Sequence, residues 1–455
     1  MSPLPALGND LVRHGLLPVG QLPWSGPRRW WGGRLDVEGL ALAAVSLAAA
    51  AVNEFTGVPG RVTATADRVA AAFDSLGQLR IRGHRPQGFA PLSGFFATAD
   101  GWIRTHANYP HHEQRLTLAL RADTPTGVAA AVAELRALQA EEVICSAGGI
   151  AAAVRTPTDW ARSAMGSATV ADRWIDLEPA PVPDGSDTRG APRYAGASRR
   201  DGDAPLSGVR VLDLTRVVAG PTASRSLAAL GADVLRIDPP ATPELWDHHV
   251  DTGFGKRTTV LDLGRPENAA TAHTLLTPAD VVLVGYRPGS LDRFGLSPGA
   301  LRERYPHLVV VTLDAWGDRG PWAGRRGFDS IVQAAVGIAD VYRHDDGRPG
   351  ALPVQALDHA TGYGMAAAAV SLLTARKTRG VTGTAHLSRA RTGQLLLAAP
   401  VPADSVEPLP EPALSATSSA YGDLLHARPP FDLDGVPLRY PHPPHRYGSD
   451  PASWW

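Results

Sequence analysis

The amino-acid sequence predicts an α/β protein in which a doubly wound, Rossmann-like parallel sheet is joined to a smaller α+β domain. Three observations carry this. Five near-continuous apolar runs, GVRVLDL, ADVLRID, TTVLDL, ADVVLVGY and HLVVVTL, alternate after residue 207 with helical patterns such as TASRSLAALGA and ALRERY. Strands apolar on both sides require a parallel sheet covered on both faces. Upstream, SGFFATADGWIRTHANY places two alternating runs around Asp100-Gly101, a hairpin signal. The 455 residues are ample for a large core and for two or three domains.

Taken in order, residues 1–92 begin with a Pro-, Gly- and Trp-rich stretch without period, followed by an Ala-rich helical pattern from Val37 to about Phe55. The Gly57-Val58-Pro59-Gly60 breaker ends it, Arg61–Ala64 alternates as a short strand, and Ala66–Phe73 reads as helix. Residues 93–172 form the smaller domain: the hairpin, helical patterns over Gly127–Leu138 and Ala147–Val154, and a further helix capped by Thr156 or Thr158. Residues 173–206 are polar and rich in Pro, Gly, Ser and Asp, the composition of a linker. Residues 207–398 carry the α/β pattern, and the Pro-rich residues 399–455 read as a largely irregular, wrapping tail. One internal echo stands out: LALAAVSLAAAAVNEFTGVPG aligns with MAAAAVSLLTARKTRGVTG on Val45-Ser46-Leu47 and Val370-Ser371-Leu372.

Composition narrows the function. With 44 basic and 45 acidic residues the formal net charge is −1, so no bulk positive field favours nucleic acid or an anionic membrane as partner. The single cysteine, Cys145, excludes an intramolecular disulfide framework and zinc-ribbon ligand sets and fits a reducing compartment. The start, MSPLPALGNDLVRHG, has no signal pattern, and the longest apolar run, Gly39–Val52, falls short of the roughly 20 residues that span a bilayer. A cytoplasmic location is expected. No metal is expected, since His426, His442 and His445 lie among prolines without ligand spacing. Only Lys256 and Lys377 are lysines, which singles out Lys256 because ammonium and guanidinium differ as phosphate partners.

The strongest local signal is GVRVLDLTRVVAGPTASRSLAALGADVLRIDPP, residues 208–240: strand, tight loop, helix, strand. Small residues at Val217–Pro221 let a ligand approach the backbone, and a helix start there offers free N–H groups. The same pattern also suits any tight βα loop. Neither GxGxxG nor a P-loop is present, which argues against nicotinamide and ATP.

Residues 208–396 resemble the family III CoA-transferases, the CaiB/BaiF-type enzymes. The resemblance rests on five collinear segments: VLDLTRVVAGPTASRSLAALGADVLRID, KRTTVLDLGRPE, ADVVLVGYRPGSLDRFGLSPGALRERYPHLV, RGPWAGRRGFDSIVQAAVGI and QALDHATGYGMAAAAVSLLTARKTRGVTG. FFATADGWIRTHANYPHHEQR and AEEVICSAGGIAAAVRTPTDWA are similar to the family's small domain, which ordinarily follows the catalytic aspartate and here precedes it. With the echo, this suggests a rearranged or truncated tandem.

The resemblance implies CoA transfer between an acyl-CoA and a carboxylic acid, with CoA as substrate, no tightly bound cofactor, and a homodimer. By position it implies Asp358 as nucleophile, in competition with a plain helix N-cap role. Val217 and Ala219 would touch the nucleotide through backbone, Lys256 and Arg293 would lie near it, Tyr286 would stack on adenine, and Trp316 would wall the acyl site. In the echo the position aligned with Asp358 is Gly33, with Asp36 three residues on, so no second site is expected there. Departures are the replacement of the family's Glu-Asn-Phe by Val284-Gly285-Tyr286, the lack of a clear glycine-rich loop, and no small domain after residue 396. Two other readings follow from relatives: an α-methylacyl-CoA racemase, disfavoured because Phe328 stands where the racemase histidine aligns although His359 adjoins Asp358, and a non-catalytic CoA-binding protein.

Overall fold

Among the described residues of the computed structural model, 5–18, 23–183 and 204–455, seven strands form the central sheet. Their spatial order is Arg257–Val260, Asp233–Asp238, Arg210–Leu214, Val281–Val284, Val309–Asp314, Val381–Ser388 and Asp176–Pro181. The first six are parallel; the last is an antiparallel edge strand. After the edge strand Asp176–Pro181, the parallel part starts at Arg210–Leu214, adds two strands on one side, and then crosses to Val281–Val284 on the other. Between those two strands the winding reverses, and a doubly wound sheet opens its binding crevice beyond the strand ends at that point.

The continuous apolar runs are explained by two cores. Val211, Val281, Leu283, Val309 and Val311 face the helices Ala219–Ala229 and Ala356–Arg379, while Leu212, Leu214, Val282, Val284 and Val310 face Leu275, Leu276 and Leu301 on the other side. Both faces of the inner strands are therefore covered, completely so for Val281–Val284.

The helix Ala356–Arg379 is the fold's axis. It is flanked by Ala219–Ala229 and by Val37–Thr56, and both contacts use small side chains. The echoing sequences thus pack against each other, and both helices end on a left-handed glycine, Gly57 at φ 71° and Gly380 at φ 62°. Val37–Thr56 is long and apolar enough to cross a membrane by composition, with 89% of that stretch buried against protein. Asp36 is its N-cap, accepting from Gly39 N at 2.9 Å and held by Arg28.

Some expectations change. The segment Ala147–Val154 is not helix: the helix is Ala137–Ser146, and after Gly148-Gly149 the chain forms the strand Ala151–Ala153 of a three-stranded antiparallel sheet with Phe95–Thr98 and Gly101–Thr105. Thr156 caps Pro157–Arg162, accepting from Asp159 N at 3.0 Å. The expected linker, 173–206, contributes the edge strand Asp176–Pro181; residues 184–203 of it lie outside the described residues. The tail wraps, with strands of its own. Gly422–His426 pairs with Arg80–Ile81, Phe431–Leu433 pairs with Val62–Thr65, and Trp454 Nε1 donates to Leu275 O at 2.9 Å.

Gly362 marks the tightest crossing. A Cβ there would collide with the Ala219 carbonyl oxygen and lie 2.9 Å from Thr222 Cβ. Gly362→Val should destabilise the protein by about 2 kcal/mol or more, read as a lowered urea midpoint with unchanged slope.

Candidate active site

The strand Arg210–Leu214 ends in a turn closed by Asp213, whose Oδ1 accepts from Thr215 N at 2.9 Å and from Thr215 Oγ1 at 2.5 Å. Gly220 follows because a Cβ there would run into Thr215. Val217 is left-handed at φ 71°, a conformation that a β-branched residue rarely adopts. Glu244 holds it there: its Oε2 accepts from Val217 N at 2.9 Å and from Arg236 Nη2 at 2.9 Å, while Oε1 accepts from Leu245 N at 2.8 Å and from the Tyr109 hydroxyl. Burial alone would raise the Glu244 carboxyl, but Arg236 and Arg216 outweigh it and hold it well below the usual range.

Two cavities meet at this loop. The first, about 390 Å³, is lined by Asp358, Asp329, Arg104, His106, His359 and Val217 among others. The second, about 300 Å³, lies beyond the strand ends at the reversal point, with Tyr286, Arg216, Arg287, Arg326 and Arg389 in its walls. Val217 and Phe328 line both.

Asp358 stands in the first turn of Ala356–Arg379. It is not the N-cap, a position held by Gln355, so the capping alternative is corrected. Its Oδ1 accepts from Arg389 Nε; Oδ2 makes no hydrogen bond among the described residues. Arg389 follows directly on the strand Val381–Ser388 and also lines the second cavity. Asp329, first residue of the helix Asp329–Val336, accepts from Asp358 N at 2.9 Å on Oδ2 and from Gln333 on Oδ1. Burial and then the charge of Asp358 raise the Asp329 carboxyl. His359 is 4% exposed, lies against Phe73 and Thr222, and burial lowers it to about 4, so its ring is neutral. Phe328 stacks on His106 with centroids 3.8 Å apart.

The second cavity is strongly basic. Arg287 and Arg326 have no ion-pair partner among the described residues, and burial followed by Arg287 and Arg115 lowers Arg326. Such a surface suits phosphates. Tyr286 sits at its edge.

The expected contacts divide. Asp358, Val217 and Tyr286 line these two cavities; Arg293 is exposed and lines a separate hollow with Tyr286, Pro239 and Pro240. Lys256 lines neither cavity. It is 2% exposed, and its Nζ donates to Asp213 Oδ2 at 3.2 Å and Ser224 Oγ at 2.8 Å. Burial lowers it to about 8, against the pull of Asp213. Ala219 is buried at the Gly362 crossing. Trp316 packs with Trp160 and Trp322 behind Gly327 and walls neither cavity. Sequence reasoning missed Arg389, Arg216, Arg287 and Arg326, which no motif spacing links; only the sheet topology brings them together.

Residues 206–413 match the model of CoA-transferase family III. A probable fatty acyl-CoA transferase of Mycobacterium tuberculosis is 33% identical over 231 residues, 47% of this chain and 58% of that protein. A succinate–glutarate CoA-transferase of Agrobacterium fabrum is 33% identical over 192 residues, 38% of this chain and 48% of that protein. The crystal structure of a CaiB/BaiF family protein from Brucella suis is 28% identical, covering 43% of this chain and 56% of that chain, with a TM-score of 0.40. The chain spans about half the length of the curated relatives it matches.

Two outcomes follow from this geometry. Lys256→Met leaves Asp213 buried beside Ser224 without its cation and should cost about 3 kcal/mol of stability, measured by denaturant unfolding. The raised Asp329 carboxyl contributes stability that is complete below the ordinary aspartate range, near pH 4, and is lost as pH rises through its raised value. Asp329→Asn should remove that loss, so that thermal unfolding from pH 4 to 8 shows the variant gaining on the native protein as pH rises.

Proposed function

We propose that the protein is a CoA-transferase that moves CoA between an acyl-CoA and a carboxylic acid, with Asp358 as nucleophile. The observation that carries this is the position of Asp358: a carboxylate with one oxygen fixed by Arg389 and the other without a hydrogen bond among the described residues, beside the junction of its own cavity and an arginine-lined one. The basic cavity would take the phosphates and nucleotide of CoA, with Tyr286 against the base and the thioester passing Val217 and Phe328.

Asp358 Oδ2 attacks the thioester carbonyl carbon; the C–S bond breaks and CoA leaves as thiolate, giving an acyl-aspartyl anhydride. The thiolate then attacks the Asp358 carboxyl carbon, forming an aspartyl-CoA thioester and releasing the first acid. The acceptor carboxylate attacks that thioester, expels thiolate and forms a second anhydride. Thiolate attack on its acyl carbon yields the new acyl-CoA and frees Asp358. Arg389 keeps the carboxylate oriented throughout, and Asp329, through the Asp358 amide, fixes the first helical turn.

Incubation with a panel of acyl-CoAs followed by hydroxylamine should place a hydroxamate on the Asp358 peptide by mass spectrometry, absent in Asp358→Ala. The same variant should lose CoA transfer by about a thousandfold or more. No adduct from any donor, in protein shown to be folded, would sink the covalent route.

A further inference from the structure

The cavity that holds Asp358 also contains a cation that the transfer steps above do not use. Arg104 lies on the strand Gly101–Thr105, outside the stretch that matches the family model, and is 9% exposed. Its side chain makes no hydrogen bond or ion pair among the described residues, and its Nε is buried without a partner. The neighbouring guanidiniums are occupied: Arg389 by Asp358, and Arg225 by Asp251 at 3.1 Å. Arg104 instead lies over the rings of Phe89 and Phe95, 4.8 and 4.7 Å from their centroids. Aromatic faces cover the plane of a guanidinium and leave its N–H edge for an in-plane acceptor.

A buried cation without an anion is costly. Burial lowers Arg104 to about 10, opposed by the charge of Asp329, so it remains a cation at neutral pH. Both oxygens of Asp329 already accept from Asp358 N and Gln333. The acceptor for Arg104 is therefore sought in the ligand.

The reaction restricts what that ligand can be. A monocarboxylic acid has its one charge at the reacting end and loses it on becoming a thioester. It would leave Arg104 unpaired whenever an acyl-CoA occupies the cavity. An acid with a second carboxylate carries an anion through free acid, anhydride and thioester alike. We propose that Arg104 binds a second carboxylate on the acyl group, so that the substrates are dicarboxylic acids and their mono-CoA thioesters. This rests on the CoA-transferase reading. Arg104 is thus a specificity-determining residue supplied by the small antiparallel sheet.

The test measures binding of free acids by calorimetry to the full chain, which requires no turnover. Succinate, glutarate and adipate are compared with butyrate, pentanoate and hexanoate. At least one diacid should bind about a hundredfold more tightly than its monoacid partner, and Arg104→Met should shrink that ratio to within about threefold. Arg104→Lys should retain part of it, and thermal unfolding of both variants checks that they fold. No diacid preference in the native protein overturns the inference. So does an equal loss of both acids in Arg104→Met, which would place Arg104 on the reacting carboxylate. Arg104-dependent diacid binding without any Asp358 hydroxamate would overturn the covalent reading and keep the anion site.

Discussion

Asp358 and Arg389 meet because the chain between them doubles back. The helix Ala356–Arg379 runs away from the site, Gly380 turns it, and the strand Val381–Ser388 returns along the sheet to set Arg389 beside the starting point. The ion pair closes this unit at its open end. The rest of the site is arranged around it: Asp329 fixes the Asp358 amide, and Arg389 forms part of the wall of the neighbouring cavity. The long helix keeps its place because small residues let two other helices approach it closely. A change at that crossing acts on the carboxylate without touching it.

The two cavities differ in charge, and their division is physical. The first gathers Asp74, Asp251, Asp329 and Asp358; the second is walled by arginines. Val217 stands between them in a strained conformation, and its strain is held by Glu244, a buried carboxylate tied to Arg236 and Tyr109. Tyr109 belongs to the segment before the parallel sheet, so the small sheet and its helices help to shape the loop as well as covering it. Strain at a ligand-facing loop persists only when its surroundings over-determine it.

The parallel strands were legible because burial on both faces leaves nearly every position apolar, as in Val281–Val284. The edge strand Asp176–Pro181 was not, since one side faces solvent and its two prolines read as linker. Ala151–Ala153 was misread for a related reason: alanine serves helix and strand alike, and only pairing with Ile103–Thr105 decides. At the site, Asp358, Val217 and Tyr286 could be placed from the pattern of matched segments. Lys256 could not, because the sequence does not show that Asp213 and Ser224 converge on it inside the protein. Arg104 and Arg326 were invisible for the opposite reason: what marks them is the lack of a partner, a property of three-dimensional surroundings.

The shared sheets at the two ends of the chain bear on how the molecule is made. Val62–Thr65 pairs with Phe431–Leu433, and Arg80–Ile81 with Gly422–His426, so strands near the beginning wait for more than three hundred residues of synthesis before their partners exist. Contacts of such sequence separation form slowly, because a long loop must close before any pairing rewards it. Until then Val37–Thr56, a long apolar helix, has no Ala356–Arg379 to cover it. The nascent chain therefore carries an exposed hydrophobic surface until Ala356–Arg379 has been made, the kind of intermediate on which chaperones act.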